Sequence, residues 1–139
     1  MLLMSLIFGV GEVLAQEVPP IDVVLLCTNK KGDKTIGLFK QGNNFIYQYG
    51  SDLGKPELQL VRAESSVIKQ PWNGVGREFW NNITLENKGY SYTIRSAYER
   101  SENGSVTAGV NISKGDKYLT SVECKTTSNF IDNLASFAE

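Results

Sequence analysis

The feature that most constrains this chain is a succession of short segments with strand-type patterning, each ended by turn-forming residues. Eight such segments follow one another at spacings of about 8–14 residues, with no helical apolar period between them. This pattern predicts an all-β, single-domain antiparallel barrel or sandwich of about eight strands. The predicted strands are residues 21–28, 34–40, 45–50, 57–62, 79–86, 90–98, 106–112 and 118–124.

Alternation of apolar and polar residues indicates which face of several strands is buried. Phe45, Tyr47 and Tyr49 fall on one face by the period of two, and Leu58 and Leu60 do the same in the next predicted strand. Antiparallel strands joined by tight turns fit this order. The segment at 63–76 follows no regular pattern and is the longest candidate for a functional loop.

The C-terminal segment at 128–139 departs from strand patterning. Phe130, Leu134 and Phe137 recur at helical spacing, and Ser128 or Asn129 can cap the first turn. We therefore expect a short C-terminal helix that closes one end of the β domain.

The N-terminal segment at 1–15 is an apolar run that ends in a small residue, Ala15. Its length is short for a membrane span, and Val13 and Ala15 suit cleavage by signal peptidase. We expect a signal peptide at 1–15, a single β domain at 16–139 and a periplasmic or secreted location without a membrane contact after cleavage. The alternative is a buried N-terminal strand or helix, because no basic residue precedes the apolar run.

Cys27 and Cys124 are the only cysteines, and they lie near the two ends of the predicted β domain. In an oxidising compartment they should pair, and closing so long a loop removes about 4–5 kcal/mol of unfolded-state entropy in the chain-entropy model. The alternative is two free buried thiols in the cytoplasm.

The charge balance and the absence of histidine exclude several classes of function. Removal of the first fifteen residues takes away one acid, Glu12, and no base, which leaves fourteen of each. Without a net field or a basic run we expect no nucleic-acid partner. Without histidine the common hydrolytic triads and imidazole metal sites are excluded, so we predict no enzyme, no cofactor and no metal site. A hydrolase that uses paired carboxylates is the remaining enzymatic alternative.

Candidate binding residues lie in the irregular segment and around residues 98–105. Trp72 stands between Pro71 and an Asn-Gly pair, where a large amphipathic ring suits an interface. Trp80 fits packing against the sheet better. The loop after Tyr98 carries Arg100 and Asn103 and could present hydrogen-bonding groups to a partner, although an ordinary polar hairpin turn is the simpler interpretation.

The chain resembles small periplasmic proteins of Gram-negative bacteria, many of them uncharacterised. The resemblance rests on packing and turn residues: Cys27 and the segments at 45–50, 54–58, 89–92 and 108–110. In general plan the chain is similar to periplasmic lysozyme inhibitors, which insert a loop with a Ser-Gly-x-Tyr motif into the lysozyme cleft. The nearest match to that motif is Ser96-Ala97-Tyr98, with alanine for glycine and one residue fewer before the tyrosine.

These observations lead to three functional hypotheses. The first is an exported non-enzymatic protein that binds another protein, as an inhibitor or immunity-type protein against a cell-wall hydrolase such as lysozyme. Its predicted binding residues are Trp72, Ser96, Tyr98, Arg100 and Asn103. The second is a carrier that holds a small ligand inside the barrel, which requires space that Phe45, Tyr47, Leu58 and Leu60 leave unfilled. The third is the carboxylate-dependent hydrolase.

Overall fold

The computed structural model describes residues 18–101 and 103–139, so the predicted signal peptide at 1–15 and its cleavage site lie outside the described residues. The described strands are β1 (Ile21–Thr28), β2 (Thr35–Gln41), β3 (Asn44–Gly50), β4 (Leu58–Ala63), β5 (Ile68–Gln70), β6 (Glu78–Asn87), β7 (Tyr90–Glu99), β8 (Val106–Lys114), β9 (Lys117–Glu123) and β10 (Ile131–Asp132). One turn of 3-10 helix, Glu64–Ser66, follows β4, and a short helix α1, Leu134–Phe137, ends the fold.

The strands form two antiparallel sheets of five strands each. The first sheet has the order β10-β1-β2-β3-β4 and the second the order β5-β6-β7-β8-β9. The sheets are not closed on each other, so the predicted all-β domain is a sandwich rather than a barrel. Strands β1 to β4 and strands β5 to β9 pair in chain order. Short turns join several of these pairs, among them β2–β3 and β6–β7, as the turn residues between the predicted strands indicated.

The core lies between the two sheets and consists of the inward-facing residues of both. Its completely buried side chains include Leu38 and Phe45 of the first sheet and Ile83, Leu85 and Ile94 of the second. The rings of Tyr47 and Tyr92 meet across the sandwich with centroids 5.7 Å apart, and burial raises the pKa of Tyr47.

The interior space that the carrier hypothesis requires is taken up by side chains. Phe45, Tyr47 and Leu60 are buried, and Leu58 packs against the same cluster. These are the side chains predicted to face inward from β3 and β4. Their positions favour a packed core over a ligand chamber between the sheets.

Cys27 and Cys124 form the predicted disulfide, with their Cα atoms 5.6 Å apart. The bond joins β1 of the first sheet to the residue that follows β9 of the second. Backbone hydrogen bonds flank it on both sides, from Lys30 N to Glu123 O at 3.0 Å and from Lys125 N to Thr28 O at 2.8 Å. One corner of the sandwich is thus fixed by both covalent and backbone contacts.

The C-terminal segment contains less helix than the sequence predicted. Ile131 and Asp132 pair with Leu26 and Leu25 as strand β10, so the helix is confined to Leu134–Phe137. The edge of β1 offers backbone groups to this segment, and Asn133 N donates to Val24 O at 2.8 Å. Leu134 is completely buried, as the apolar pattern predicted, because the short helix packs against β1 and β6.

The irregular segment at 63–76 also contains more structure than predicted. After the 3-10 turn, strand β5 pairs with β6 through Ile68↔Thr84, Lys69↔Ile83 and Gln70↔Asn82. Its three residues are too few for a period of two to stand out in the sequence. The part outside regular secondary structure is therefore the shorter connection between β5 and β6, residues 71–77.

Candidate binding cleft

The candidate site lies at the end of the second sheet where β6 begins and β7 ends. The inward face of these strands continues past the core through the cross-strand pairs Asn81↔Ser96 and Phe79↔Tyr98. Phe79 is 40% exposed and Tyr98 is 36% exposed, whereas Ile83 and Ile94 on the same face are completely buried. Inward-facing side chains are thus left open to solvent at this end of the sandwich.

A cleft of about 730 Å³ occupies this open end, and we call it the end cleft. Its walls come from the β5–β6 connection, from β6, β7 and the turn after β7, and from the C-terminal segment. It is lined by Pro71, Trp72, Phe79, Asn81, Ser96, Tyr98, Glu99, Arg100, Ser101, Asp132, Ala135 and Glu139. Four of the five predicted binding residues therefore lie together: Trp72, Ser96, Tyr98 and Arg100.

An aromatic pair forms one wall of the end cleft. The rings of Trp72 and Phe79 meet edge to face, with centroids 4.5 Å apart and planes at 70°. The Trp72 indole Nε1 donates to Val75 O at 3.1 Å, and the Trp72 backbone N donates to Asn81 Oδ1 at 3.2 Å. These bonds fix the orientation of a half-buried ring in the β5–β6 connection.

Arg100 lies over this aromatic pair. Its guanidinium carbon is 5.6 Å from the Trp72 ring centroid and 5.2 Å from that of Phe79, within the range of cation–π attraction. Nη1 of Arg100 donates to Gly76 O at 3.1 Å, and the Arg100 backbone N donates to Arg77 O at 2.8 Å. The turn after β7 is thereby held against the β5–β6 connection.

Tyr98 and Asp132 join strand β7 to the C-terminal segment at the end cleft. The Tyr98 hydroxyl donates to Asp132 Oδ2 at 2.6 Å, and the Leu134 backbone N donates to Asp132 Oδ1 at 2.9 Å. Partial burial raises the pKa of Tyr98, and the hydrogen bond to Asp132 together with the carboxylate charge raises it further. The hydroxyl is therefore held in its neutral, donating form.

Ser96 and Asn103 occupy very different positions. Ser96 is 2% exposed and belongs to the middle of strand β7, so Ser96-Ala97-Tyr98 is part of a sheet and is not a projecting loop. Asn103 is exposed in the turn after β7 and is not among the residues that line the end cleft. Trp80 is half-buried and points to the outer face of the second sheet, opposite Ala97.

Sequence reasoning missed Phe79, Asn81 and Asp132 as members of the site. Phe79 and Asn81 were assigned to a strand without a register, and the register is what places them opposite Tyr98 and Ser96. A hairpin register drawn through the turn at 87–90 would have found them. Asp132 follows Tyr98 by 34 positions and reaches the site through the pairing of β10 with β1, for which the sequence carries no signal.

Three carboxylate residues line the end cleft: Glu99, Asp132 and Glu139. Asp132 accepts the two hydrogen bonds described above, and Glu99 Oε2 accepts from the Ser105 hydroxyl at 3.2 Å. Hydrogen bonds from Asn29, Lys34 and Lys69 lower the pKa values of the Asp33, Glu57 and Glu64 carboxyl groups respectively, and these three residues do not line the end cleft. A general acid needs a raised pKa instead, so the carboxylate hydrolase stays a prediction.

Residues 18–101 and 103–139 were the part of the molecule in which metal-binding groups and membrane-spanning helices could be recognised. In this part of the chain, no group of three or more His, Cys, Asp or Glu side chains is arranged to hold a metal ion. Nor does it contain a helix of the length and apolar character needed to cross a membrane.

Comparisons with known proteins do not place this chain in a family. No protein-family model, no curated protein and no solved structure matches it. The similarity in general plan to periplasmic lysozyme inhibitors therefore stays a prediction.

Proposed function

We propose that this protein is an exported, non-enzymatic binding domain that recognises another protein through the end cleft. The observation that carries the proposal is that Trp72 converges in one cleft with Ser96, Tyr98 and Arg100, which belong to a separate part of the sequence. Tryptophan, tyrosine and arginine are the residues most enriched where protein interfaces concentrate their binding energy.

The state of these side chains supports a binding role. Trp72, Phe79 and Arg100 are held by ring contacts and backbone hydrogen bonds, so little conformational freedom remains to be lost on association. Tyr98 is held by Asp132 in the same way. A preorganised cleft of this kind suits a projecting segment of a partner.

The shape of the site bears on how a cell-wall hydrolase would be bound. Ser96 lies buried within β7, so the Ser96–Tyr98 segment is poorly placed to enter a lysozyme cleft. The concave end cleft instead favours uptake of a surface segment of the hydrolase. The Cys27–Cys124 disulfide is compatible with an oxidising compartment, where such a partner would be met.

The first test is complex formation with candidate hydrolases. The full-length chain is mixed with c-, i- and g-type lysozymes, and complexes are detected by gel filtration while lysozyme activity is followed. We expect a complex with at least one class, and loss of that lysozyme's activity. Absence of both with all three classes would overturn the inhibitor version of the proposal.

The second test asks whether the end cleft carries the binding. Trp72→Ala should weaken a complex by roughly tenfold or more, as expected for a central aromatic residue. The matched control is Tyr118→Ala, which removes an aromatic side chain that is 58% exposed on β9, away from the end cleft. A partner retained from periplasmic extract equally well by both variants would show that the end cleft is not the binding site.

A further inference from the structure

A second, smaller concavity adjoins the end cleft and is lined by Gly76, Arg77, Arg100 and Ser101. We call it the arginine hollow, and its volume is about 300 Å³. Arg100 lines both concavities, so a ligand in one lies next to the other. We propose that the arginine hollow binds a carboxylate of the partner protein, an assignment that rests on the proposed function of the end cleft.

The charges around the arginine hollow carry the inference. Its described lining residues include two arginines and a serine, and no acid is among these described residues. The ion pairs among the described residues use Lys34, Lys40, Lys69 and Arg95, and neither Arg77 nor Arg100 takes part in one. The end cleft is different, because Glu99, Asp132 and Glu139 are among its lining residues. An anion is therefore favoured at the arginine hollow rather than deeper in the end cleft.

The setting of Arg100 favours a carboxylate in particular. Cation–π contacts with Trp72 and Phe79 hold the guanidinium in place, and its described hydrogen bond uses Nη1 alone. The remaining N–H groups of an oriented guanidinium match the two oxygens of a carboxylate. The aromatic pair beside it provides an apolar surface for the carbon atoms that carry the carboxylate. The ligand class is thus an acidic residue, or a chain terminus, next to an apolar group.

Two small molecules of the same shape test this assignment. The ¹⁵N-labelled full-length chain is titrated with 3-phenylpropionate and, separately, with 3-phenylpropionamide, which lacks the charge. We expect the carboxylate to shift the indole N–H signal of Trp72 and the Nε–H signal of Arg100, and to bind about tenfold more tightly than the amide. The indole signal of Trp80, on the outer face of the sheet, is the internal control and should not move.

Variants separate the role of Arg100 from a general effect of charge. Arg100→Gln should reduce the affinity for the carboxylate to that for the amide, whereas Arg100→Lys should retain part of the preference. Arg77→Gln should weaken carboxylate binding by several-fold. Because this variant keeps the Arg100 side chain, it tests the arginine hollow even if Arg100→Gln disturbs the turn. Lys117→Gln removes the same charge from an exposed position on β9 and should change nothing.

Several outcomes would overturn the assignment. Equal affinity for the two probes, or an unchanged preference in Arg100→Gln, would show that the arginine hollow does not select a carboxylate. Tighter binding of inorganic phosphate than of the carboxylate would assign the hollow to a phosphate instead. In each case a protein complex that is sensitive to Trp72→Ala would leave the proposed function standing. Conversely, carboxylate selection without any protein complex would overturn the proposed function alone.

Discussion

The inward face of β6 and β7 has a covered half and an open half. In the covered half Ile83, Leu85 and Ile94 are completely buried between the sheets. In the open half the same face carries Phe79 and Tyr98, which remain more than a third exposed. Both halves belong to the same two strands and obey the same alternation of side chains.

The difference teaches that side-chain alternation assigns a face but does not say whether that face is covered. Coverage depends on the first sheet and on α1, which lie far away in the sequence. Asn81 marks where cover ends on β6, because its side-chain amide would be costly to bury in an apolar core. In the open half its Oδ1 accepts a hydrogen bond from the Trp72 backbone and thereby shapes the aromatic wall.

Alanine substitutions in the covered and open halves of β6 should differ most in the free energy of unfolding. Ile83→Ala should lower the free energy of unfolding by about 3 kcal/mol, because it leaves a cavity in a completely buried site. Phe79→Ala should cost about 1 kcal/mol, since Phe79 is 40% exposed, yet it removes ring contacts to Trp72 and Arg100. Urea denaturation measures the free energy of unfolding of both variants. Titration with 3-phenylpropionate measures their affinity for this probe.

The comparison fails if the two substitutions behave alike. Ile83→Ala should leave probe affinity per folded molecule unchanged, and Phe79→Ala should weaken it by about tenfold. Equal losses of stability would mean that the open half is packed as tightly as the core. A loss of probe affinity in Ile83→Ala would mean that the cleft depends on the core packing four residues away.

A smaller effect concerns the hydroxyl of Tyr98 in the open half. Because its pKa is raised in the folded state above the ordinary value of 10.0, the neutral hydroxyl is favoured by folding. Its contribution to stability is complete below that value and is lost as the pH rises and the unfolded state releases the proton. Between about pH 9 and about pH 11, Tyr98→Phe should therefore lose less stability than the native chain.

Urea denaturation across this pH range measures the effect. Burial also raises the pKa of Tyr47, so part of the alkaline loss should persist in Tyr98→Phe. Asp132→Asn keeps an acceptor for the Tyr98 hydroxyl but removes the negative charge, and its pH dependence should fall between the other two. An identical pH dependence in the native chain and in Tyr98→Phe would contradict the role assigned to this hydrogen bond.

Local patterns in the sequence predicted most of the fold. Eight of the strands correspond to segments with strand-type patterning and turn-forming residues between them, and the pairing of Cys27 with Cys124 followed from their number and placement. The strands that sequence reasoning missed, β5 and β10, have three and two residues. They exist because a neighbouring strand offers backbone partners, a reason that no local pattern records.

The candidate site was predicted only in part, for the same reason. Trp72 and Arg100 stood out because large amphipathic or cationic side chains in predicted loops suit contacts. Asn103 belongs to the same turn as Arg100 but does not line the end cleft, since position in a turn does not fix direction. Asp132 reaches Tyr98 only because β10 lies along the edge of β1.

The smallest expected effect lies at the far end of β6 and β7, in the turn that joins their covered halves. Lys88 has φ 52° and Gly89 has φ 86°, so both central residues of this two-residue turn are left-handed. Asparagine tolerates that conformation better than lysine, and Lys88→Asn should raise the free energy of unfolding by about 0.5 kcal/mol. Lys31→Asn makes the same substitution in an exposed turn position without a positive φ and should have no such effect.

Because the turn at Lys88 and Gly89 and the end cleft lie at opposite ends of the hairpin, Lys88→Asn should leave probe affinity unchanged. A change in that affinity would show that the covered and open halves respond as one unit.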